Sequence, residues 1–288
     1  MPAPVKTSPV LITGCSSGLG YATALMFREA GFLTVATARD PSRLGDLAAR
    51  GCDTLQLDVT DEASRVAAVA EVECRHGPVG VLVNNAGYGQ YGPLEEISPE
   101  LLHRAFETNV FGLLRMSQLV MPGMREAGRG RIVNISSLAG RVTAQGGGVY
   151  HMTKYAVEAI ADAMRPEVKP FGVDLVSVLP GPFVSPYRDK VIASIPDTGP
   201  ASPYRTYKRN IGAYMLHFLD PKTFGTMPVE KVARVVFTAG TAARPRARYN
   251  VGFWANFGPV GRYLAGDRIV DWWMSREIPH DTPRHDTK

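Results

Sequence analysis

The hydrophobic positions fall into short runs separated by longer amphipathic stretches. Val10 to Thr13 is the first run, and helical spacing follows from about Leu19 to Ala30, ending at Gly31. A second run, Phe32 to Thr37, ends in Ala38-Arg39-Asp40. A third, Thr54 to Leu57, is closed by Asp58-Val59-Thr60, after which helical spacing resumes from about Asp61 to His76. Val79 to Val83 and Arg131 to Ile135 are the next strand-length runs. A long helical region from Ser98 to about Glu126 lies between them. Then comes a helix that bears Tyr150 and Lys154 and reaches about Lys169, followed by a sixth run, Val173 to Val178. Pro166 should kink that helix or disturb its last turn, because proline removes an amide donor. Strands alternating with helices predict an α/β fold with a doubly wound parallel sheet.

Past Pro182 the rhythm breaks. Residues 185–228 are rich in proline and tyrosine, with helical pieces around Tyr187 to Ser194 and Tyr204 to Phe218. A segment of this length between core elements predicts a substrate-binding lid. A helix at about Pro228 to Ala239 and a strand at about Tyr249 to Phe253 complete the core. Trp254, Trp272 and Trp273 in the tail are expected to pack on the core or on a subunit partner. The chain reads as one domain over 1–288, with residues 1–8 and 280–288 as flexible tails.

Composition narrows the function classes. With 288 residues, 45% hydrophobic and 20% charged, the chain is long enough to bury a sizeable core. The net charge of +5 is carried by scattered residues, apart from a short cluster at Arg244, Arg246 and Arg248. No basic block is interleaved with aromatics, so nucleic acid is not an expected partner, whereas an anionic ligand fits. Cys15, Cys52 and Cys74 lack paired spacing and read as free thiols in a reducing compartment, with no metal site. The first eight residues lack the apolar run of a secretion signal, and no run of eighteen apolar residues exists. A cytoplasmic protein without a transmembrane segment is expected.

The candidate chemistry lies at the ends of the predicted strands. Gly14-Cys15-Ser16-Ser17-Gly18-Leu19-Gly20 joins a strand to a helix. Glycines there let the backbone approach a pyrophosphate, and the helix N-terminus offers amides and a positive dipole end. At the end of the second run, where an adenosine ribose would sit, an acid would bind the 2′-hydroxyl and an arginine would accept a 2′-phosphate. Arg39 therefore favours NADP(H), with Asp40 read as a cap of the following turn. Asn84-Asn85-Ala86-Gly87 puts two amides at a strand end, where they can tie neighbouring strands and floor a cleft. Asn109, mid-helix among apolar neighbours, needs a partner if it is buried. Tyr150 and Lys154 share one helix face. A phenol with a pKa of about 10 is a poor acid or base at neutral pH, and an ammonium beside it favours the phenolate.

Together, Thr13-Gly14-x-x-x-Gly18-x-Gly20, Asn84-Asn85-Ala86-Gly87, Ser137, Tyr150-x-x-x-Lys154 and Pro180-Gly181 resemble the short-chain dehydrogenase/reductase family, in its shorter subgroup. The match is close over about residues 8–185 and looser beyond. With Arg39, the glycine region is most similar to retinol and 17β-hydroxysteroid dehydrogenases. The resemblance implies a Rossmann-type sheet of about seven strands in the order 3-2-1-4-5-6-7. It implies a ketoreductase in which Tyr150 exchanges the proton, Lys154 lowers its pKa and holds the nicotinamide ribose, and Ser137 holds the substrate oxygen. Asn109 would anchor a water in a relay to Lys154. Gly14, Ser16, Ser17, Gly18, Leu19 and Gly20 would line the phosphates, and Asp58 and Val59 would flank the adenine. Asn85, Ala86 and Gly87 would border the adenosine side, and Pro180, Gly181, Phe183 and Ser185 the nicotinamide. His-Met-Thr between Tyr150 and Lys154 departs from the commoner small residues, and His151 is read as structural. The expected activity is NADP(H)-dependent interconversion of a carbonyl and an alcohol on a bulky, mostly apolar small molecule, in a homodimer or homotetramer. An NAD(H)-preferring enzyme and an NADP(H)-sensing module without turnover are the alternatives.

Overall fold

The computed structural model describes residues 4–280, and the last eight residues of the expected C-terminal tail lie outside them. Among the described residues, seven strands form one sheet. They are β1 (Val10–Ile12), β2 (Thr34–Ala38), β3 (Asp53–Gln56), β4 (Val81–Asn84), β5 (Gly130–Ile135), β6 (Val173–Pro180) and β7 (Arg248–Val251). All pairings are parallel, in the order β3-β2-β1-β4-β5-β6-β7, as expected. A parallel sheet is covered on both faces, so its strands read as continuous apolar runs rather than alternating ones. Every residue of β1, β2, β4 and β6 is buried.

The connecting helices supply the two covers. One layer holds α1 (Gly18–Glu29), α2 (Gly45–Ala49) and α9 (Val229–Thr241), with Phe27, Phe32 and Phe237 in edge contacts at 5.0–5.9 Å. The other holds α3 (Glu62–His76), α5 (Gly112–Glu126) and α6 (Gly148–Val168), packed through Val69, Val72, Met116, Val120 and Ala161. Local signals start several of these helices. Asp61 accepts from the Ser64 amide at 2.8 Å ahead of α3. Ser98 caps α4 (Pro99–Phe106), with Pro99 in the first turn. Asp40 accepts from the Ser42 amide at 3.0 Å, the capping role read from the sequence.

The long helical region contains a local change of winding. Between α4 and α5, Glu107–Phe111 forms a π-helical stretch that contains Asn109. The wide turn brings the chain against the β3–α3 connection, where a Cβ on Gly112 would lie 2.3 Å from the Val59 carbonyl oxygen. Pro166 falls in the last turn of α6, which is followed by a tight turn over Lys169–Phe171.

The segment after β6 contains α7 (Tyr187–Ala193) and α8 (Arg205–Phe218), close to the predicted pieces. Its two ends are pinned together by a parallel bridge, with the Val184 amide donating to Met227 and the Met227 amide to Pro182. The tail is α10 (Phe253–Glu277), broken at Gly266, and its Trp272 and Trp273 stay about half exposed, so within one subunit they do not pack into the core. One finding differs from the sequence reading. Residues 6–8 are anchored rather than free: the Lys6 carbonyl accepts from the Leu33 amide, and Lys6 Nζ donates to Ala30 at 2.7 Å.

Candidate active site

The carboxyl ends of the strands open into a cavity of about 1130 Å³. Its floor begins at the loop between β1 and α1. Gly14 and Gly18 have φ of +74° and +59°, conformations that favour glycine. A Cβ on Gly20 would lie 2.3 Å from the Gly14 carbonyl oxygen, so that glycine lets the helix start press on the loop. Thr13 fixes the neighbouring strand end: its hydroxyl accepts from the Asn85 and Ala86 amides at 3.0 and 2.9 Å. Asn85 returns its side-chain amide to the carbonyls of Thr13 and Gly14. Asn84 donates to Asn134 and Ser117, tying β4 to β5 and α5. The two asparagines thus brace the strand ends beneath the cleft. Cys15 is sealed in the same loop, with its thiol pushed up to about 12 by burial, so it is not a nucleophile.

Two arginines border the cavity near the end of β2. Arg39 is exposed at the tip of β2, while Asp40 is engaged with Ser42. Arg104, on α4, borders the same end of the cavity. Burial raises the Tyr88 phenol, and Arg104 and then Arg39 oppose that shift, so both side chains lie on the Tyr88 side of the cavity. Arg104 carried no signal in the sequence beyond its charge.

The opposite wall carries Ser137, Tyr150 and Lys154. Ser137 follows β5 and accepts from the Ala139 amide at 3.1 Å. Tyr150 lies in the first turn of α6, half-buried, and desolvation raises its phenol above the ordinary value. Ser137 and Tyr187 sit close enough to oppose part of that rise. Lys154 is 7% exposed and donates to the Ile135 carbonyl at 2.8 Å. Its Nζ stands 5.7 Å from the centre of the Tyr150 ring. Burial lowers its pKa to about 8, with Glu158 opposing the shift. In this state desolvation, rather than the ammonium, dominates the phenol.

Asn109 is buried behind the wall instead of lining it. Its side-chain amide donates to the Tyr88 carbonyl at 2.8 Å and to Thr153 Oγ1 at 3.1 Å, while Oδ1 accepts from the Tyr88 amide. Both amide hydrogens are committed, which leaves one lone pair of Oδ1 for a water. His151 is also buried: Nδ1 meets the Ala139 carbonyl at 3.1 Å, and Nε2 accepts from the Ala144 amide at 3.2 Å. These partners assign the neutral ring with hydrogen on Nδ1, and burial lowers its pKa to match. His151 therefore clasps the 139–144 loop over α6.

All the other residues singled out from the sequence border the cavity, from Gly14 to Ser185. The sequence reading missed Tyr91 and Tyr187, which flank Tyr150, and the whole contribution of α10 through Ile269, Trp273 and Met274. The tyrosines could have been suspected from their loops. The α10 side chains could not, because nothing in their pattern points to a distant cleft.

Comparison with known proteins decides the lineage. Residues 8–195 match the family described as short chain dehydrogenase. The chain belongs to the short-chain dehydrogenase family. It is 34% identical over 252 residues to human 17-beta-hydroxysteroid dehydrogenase type 1, covering 83% of this chain and 76% of the relative. It is 33% identical over 297 residues to mouse retinol dehydrogenase 5, covering 96% and 90%. Among solved structures, a short-chain dehydrogenase from Streptomyces avermitilis superposes with a TM-score of 0.78 at 30% identity, over 93% of this chain and 97% of that one. The short-chain dehydrogenase here is thus an oxidoreductase of the Rossmann type. Among its described residues, no helix is long and apolar enough to cross a membrane.

Proposed function

We propose that this oxidoreductase uses NADP(H) to interconvert a carbonyl and an alcohol on a bulky, mostly apolar substrate. One observation carries the reading. A single cavity runs from the glycine loop and Arg39, past Ser137, Tyr150 and Lys154, to a chamber walled by Met215, Phe218, Leu219 and Trp273. The cradle fits a dinucleotide, because Gly14 and Gly18 hold positive φ in the loop that starts α1 and Arg39 is exposed at the end of β2. Gly14, Ser16, Ser17, Leu19 and Gly20 would hold the phosphates, Asp58, Val59, Asn85, Ala86 and Gly87 the adenosine half, and Pro180, Gly181, Phe183 and Ser185 the nicotinamide. The bound nicotinamide supplies or accepts the hydride.

The chain's own residues handle the oxygen. Ser137 holds it, and Tyr150 gives its proton in reduction or takes one in oxidation. Lys154, with its Nζ 5.7 Å from the centre of that ring, offsets the negative charge of the phenolate, with Asn109 and a water behind it. Apolar walls exclude bulk water, which strengthens each of these contacts. The relatives named for a steroid and for retinol act, by those names, on rigid or extended apolar alcohols, and the chamber suits that class. Purified protein should consume NADPH with steroid, retinoid or large aromatic ketones. Absence of turnover across such a panel, in both directions, would defeat the proposal.

Subunit association belongs to the same reading. Phe111, at the end of the π-helical stretch that leads into α5, is 52% exposed, and Met152 and Tyr155 on α6 are 40% and 42% exposed. An apolar face on paired helices suits an isologous contact with a second copy. A homodimer or homotetramer in light scattering is the expected result, and Phe111→Asp should shift it towards monomer. A reducing, cytoplasmic setting agrees with the three free cysteines.

A further inference from the structure

Tyr187 begins α7, in the segment after β6, and its ring centre lies 5.9 Å from that of Tyr150. Tyr91 stacks against Tyr150 at the same separation. The Tyr187 hydroxyl is shut off from solvent and has no well-aligned hydrogen-bond partner. It presses on Gly89, where a Cβ would lie only 2.3 Å from it. Its position beside the reacting phenol is also visible in the titration of the cluster. Tyr187 and Ser137 both oppose the raising of Tyr150 by burial, whereas burial, then Tyr150 and Tyr91, raise Tyr187.

A phenol can donate one hydrogen bond and accept others, and leaving it buried and unpaired is costly. Buried polar groups without partners call for a reason, and an absent ligand is one. Ser137 and Tyr187 approach the same hydroxyl, so an oxygen held by Ser137 and Tyr150 lies within the reach of Tyr187. The geometry points to Tyr187 as a third hydroxyl of the substrate-oxygen site, donating to the reacting oxygen from the segment that covers the cavity. This rests on the carbonyl–alcohol reading above. In reduction the oxygen gains negative charge as the hydride arrives, and an extra donor aimed at that charge favours the transition state. Because Tyr187 belongs to α7, the set of hydroxyls is complete only when that helix is in place.

The test compares the full-length enzyme with Tyr187→Phe and Gly89→Ala. The first removes only the hydroxyl. The second keeps the phenol but displaces it together with the edge of the Tyr91 ring, which its Cβ would meet at 2.9 Å. Tyr187→Phe should lower kcat about 10- to 100-fold, somewhat less than removal of a preorganised oxyanion donor. NADPH affinity should stay within about twofold, and Tm should hold or rise by about 2 °C, as an unpaired buried group is lost. Gly89→Ala should lower kcat at least as much, and the double variant should lose less than the product of the two single losses, because the two changes share the Tyr187 hydroxyl. A Tyr187→Phe enzyme with kcat and KM like the parent overturns this inference and leaves the carbonyl–alcohol reading intact. A fall in Tm together with weakened NADPH binding also overturns it, since that marks a packing role. A parent enzyme that turns over no carbonyl defeats both.

Discussion

Replacing Lys154 with methionine separates what its charge costs the fold from what it gives the reaction. Burial lowers the Lys154 ammonium from its ordinary 10.5 to about 8. That difference corresponds to about 3 kcal/mol of destabilisation of the folded state wherever the ammonium is charged in both states. The sign follows from proton binding. Below pH 8 folded and unfolded chains are both protonated, and the full cost is present. Between 8 and 10.5 the unfolded chain binds more protons, so this group makes the parent more stable as pH rises. Methionine fills a similar volume without charge, but the bond to the Ile135 carbonyl is lost, a cost of about 1–2 kcal/mol. At pH 7 the variant should therefore equal the parent or exceed it by about 1–2 kcal/mol, while turnover falls at least about 100-fold. Urea unfolding at several pH values is the assay. The advantage of the variant should shrink by about 1.4 kcal/mol per pH unit above 8. A variant clearly less stable at pH 7, or a gap that ignores pH, would refute the reasoning.

Further outcomes test other parts of the site. Tyr150→Phe should reduce kcat by at least about 1000-fold and leave NADPH binding by fluorescence unchanged; a comparable loss of binding would place Tyr150 in the cofactor site only. Arg39→Ala should weaken NADPH about 10- to 100-fold and NADH hardly at all, because only a 2′-phosphate needs the guanidinium; equal effects would remove the NADP(H) assignment. Gly20→Ala should lower Tm by several degrees and abolish cofactor binding, since its Cβ would lie 2.3 Å from the Gly14 carbonyl oxygen and 2.5 Å from Asn85 Nδ2. Asn109→Ala should destabilise the protein by about 1–3 kcal/mol in urea, because the Tyr88 carbonyl and amide lose their partner.

The sheet was legible because a covered parallel strand is mostly apolar along its length, and β1, β4 and β6 follow that pattern apart from Asn84, Asp174 and Ser177. The glycine loop was legible because Gly14, Gly18 and Gly20 each answer a backbone demand that no other residue meets. Asn109 shows the boundary. Its polarity among apolar neighbours announced a buried partner, yet the partners, Tyr88 and Thr153, lie 21 and 44 residues away. The π-helical stretch that turns it inward leaves no mark in a hydrophobic pattern. Tyr187 and α10 lie further beyond that boundary. Their side chains enter the cavity through the placement of long connections, which periodicity does not encode.

The hidden part of the site shares one property with its visible part. Lys154 is held charged against burial, and the hydroxyls of Ser136, Ser177 and Tyr187 are buried without aligned partners. Such groups are unfavourable for folding and persist where chemistry uses them. By contrast Asn84, Asn85 and Thr13 are buried or half-buried and well supplied with partners, and they brace the sheet edge. The Tyr187 hydroxyl, buried without such a partner, differs in this from the bracing residues, although nothing in its local sequence sets it apart from the other tyrosines of the segment.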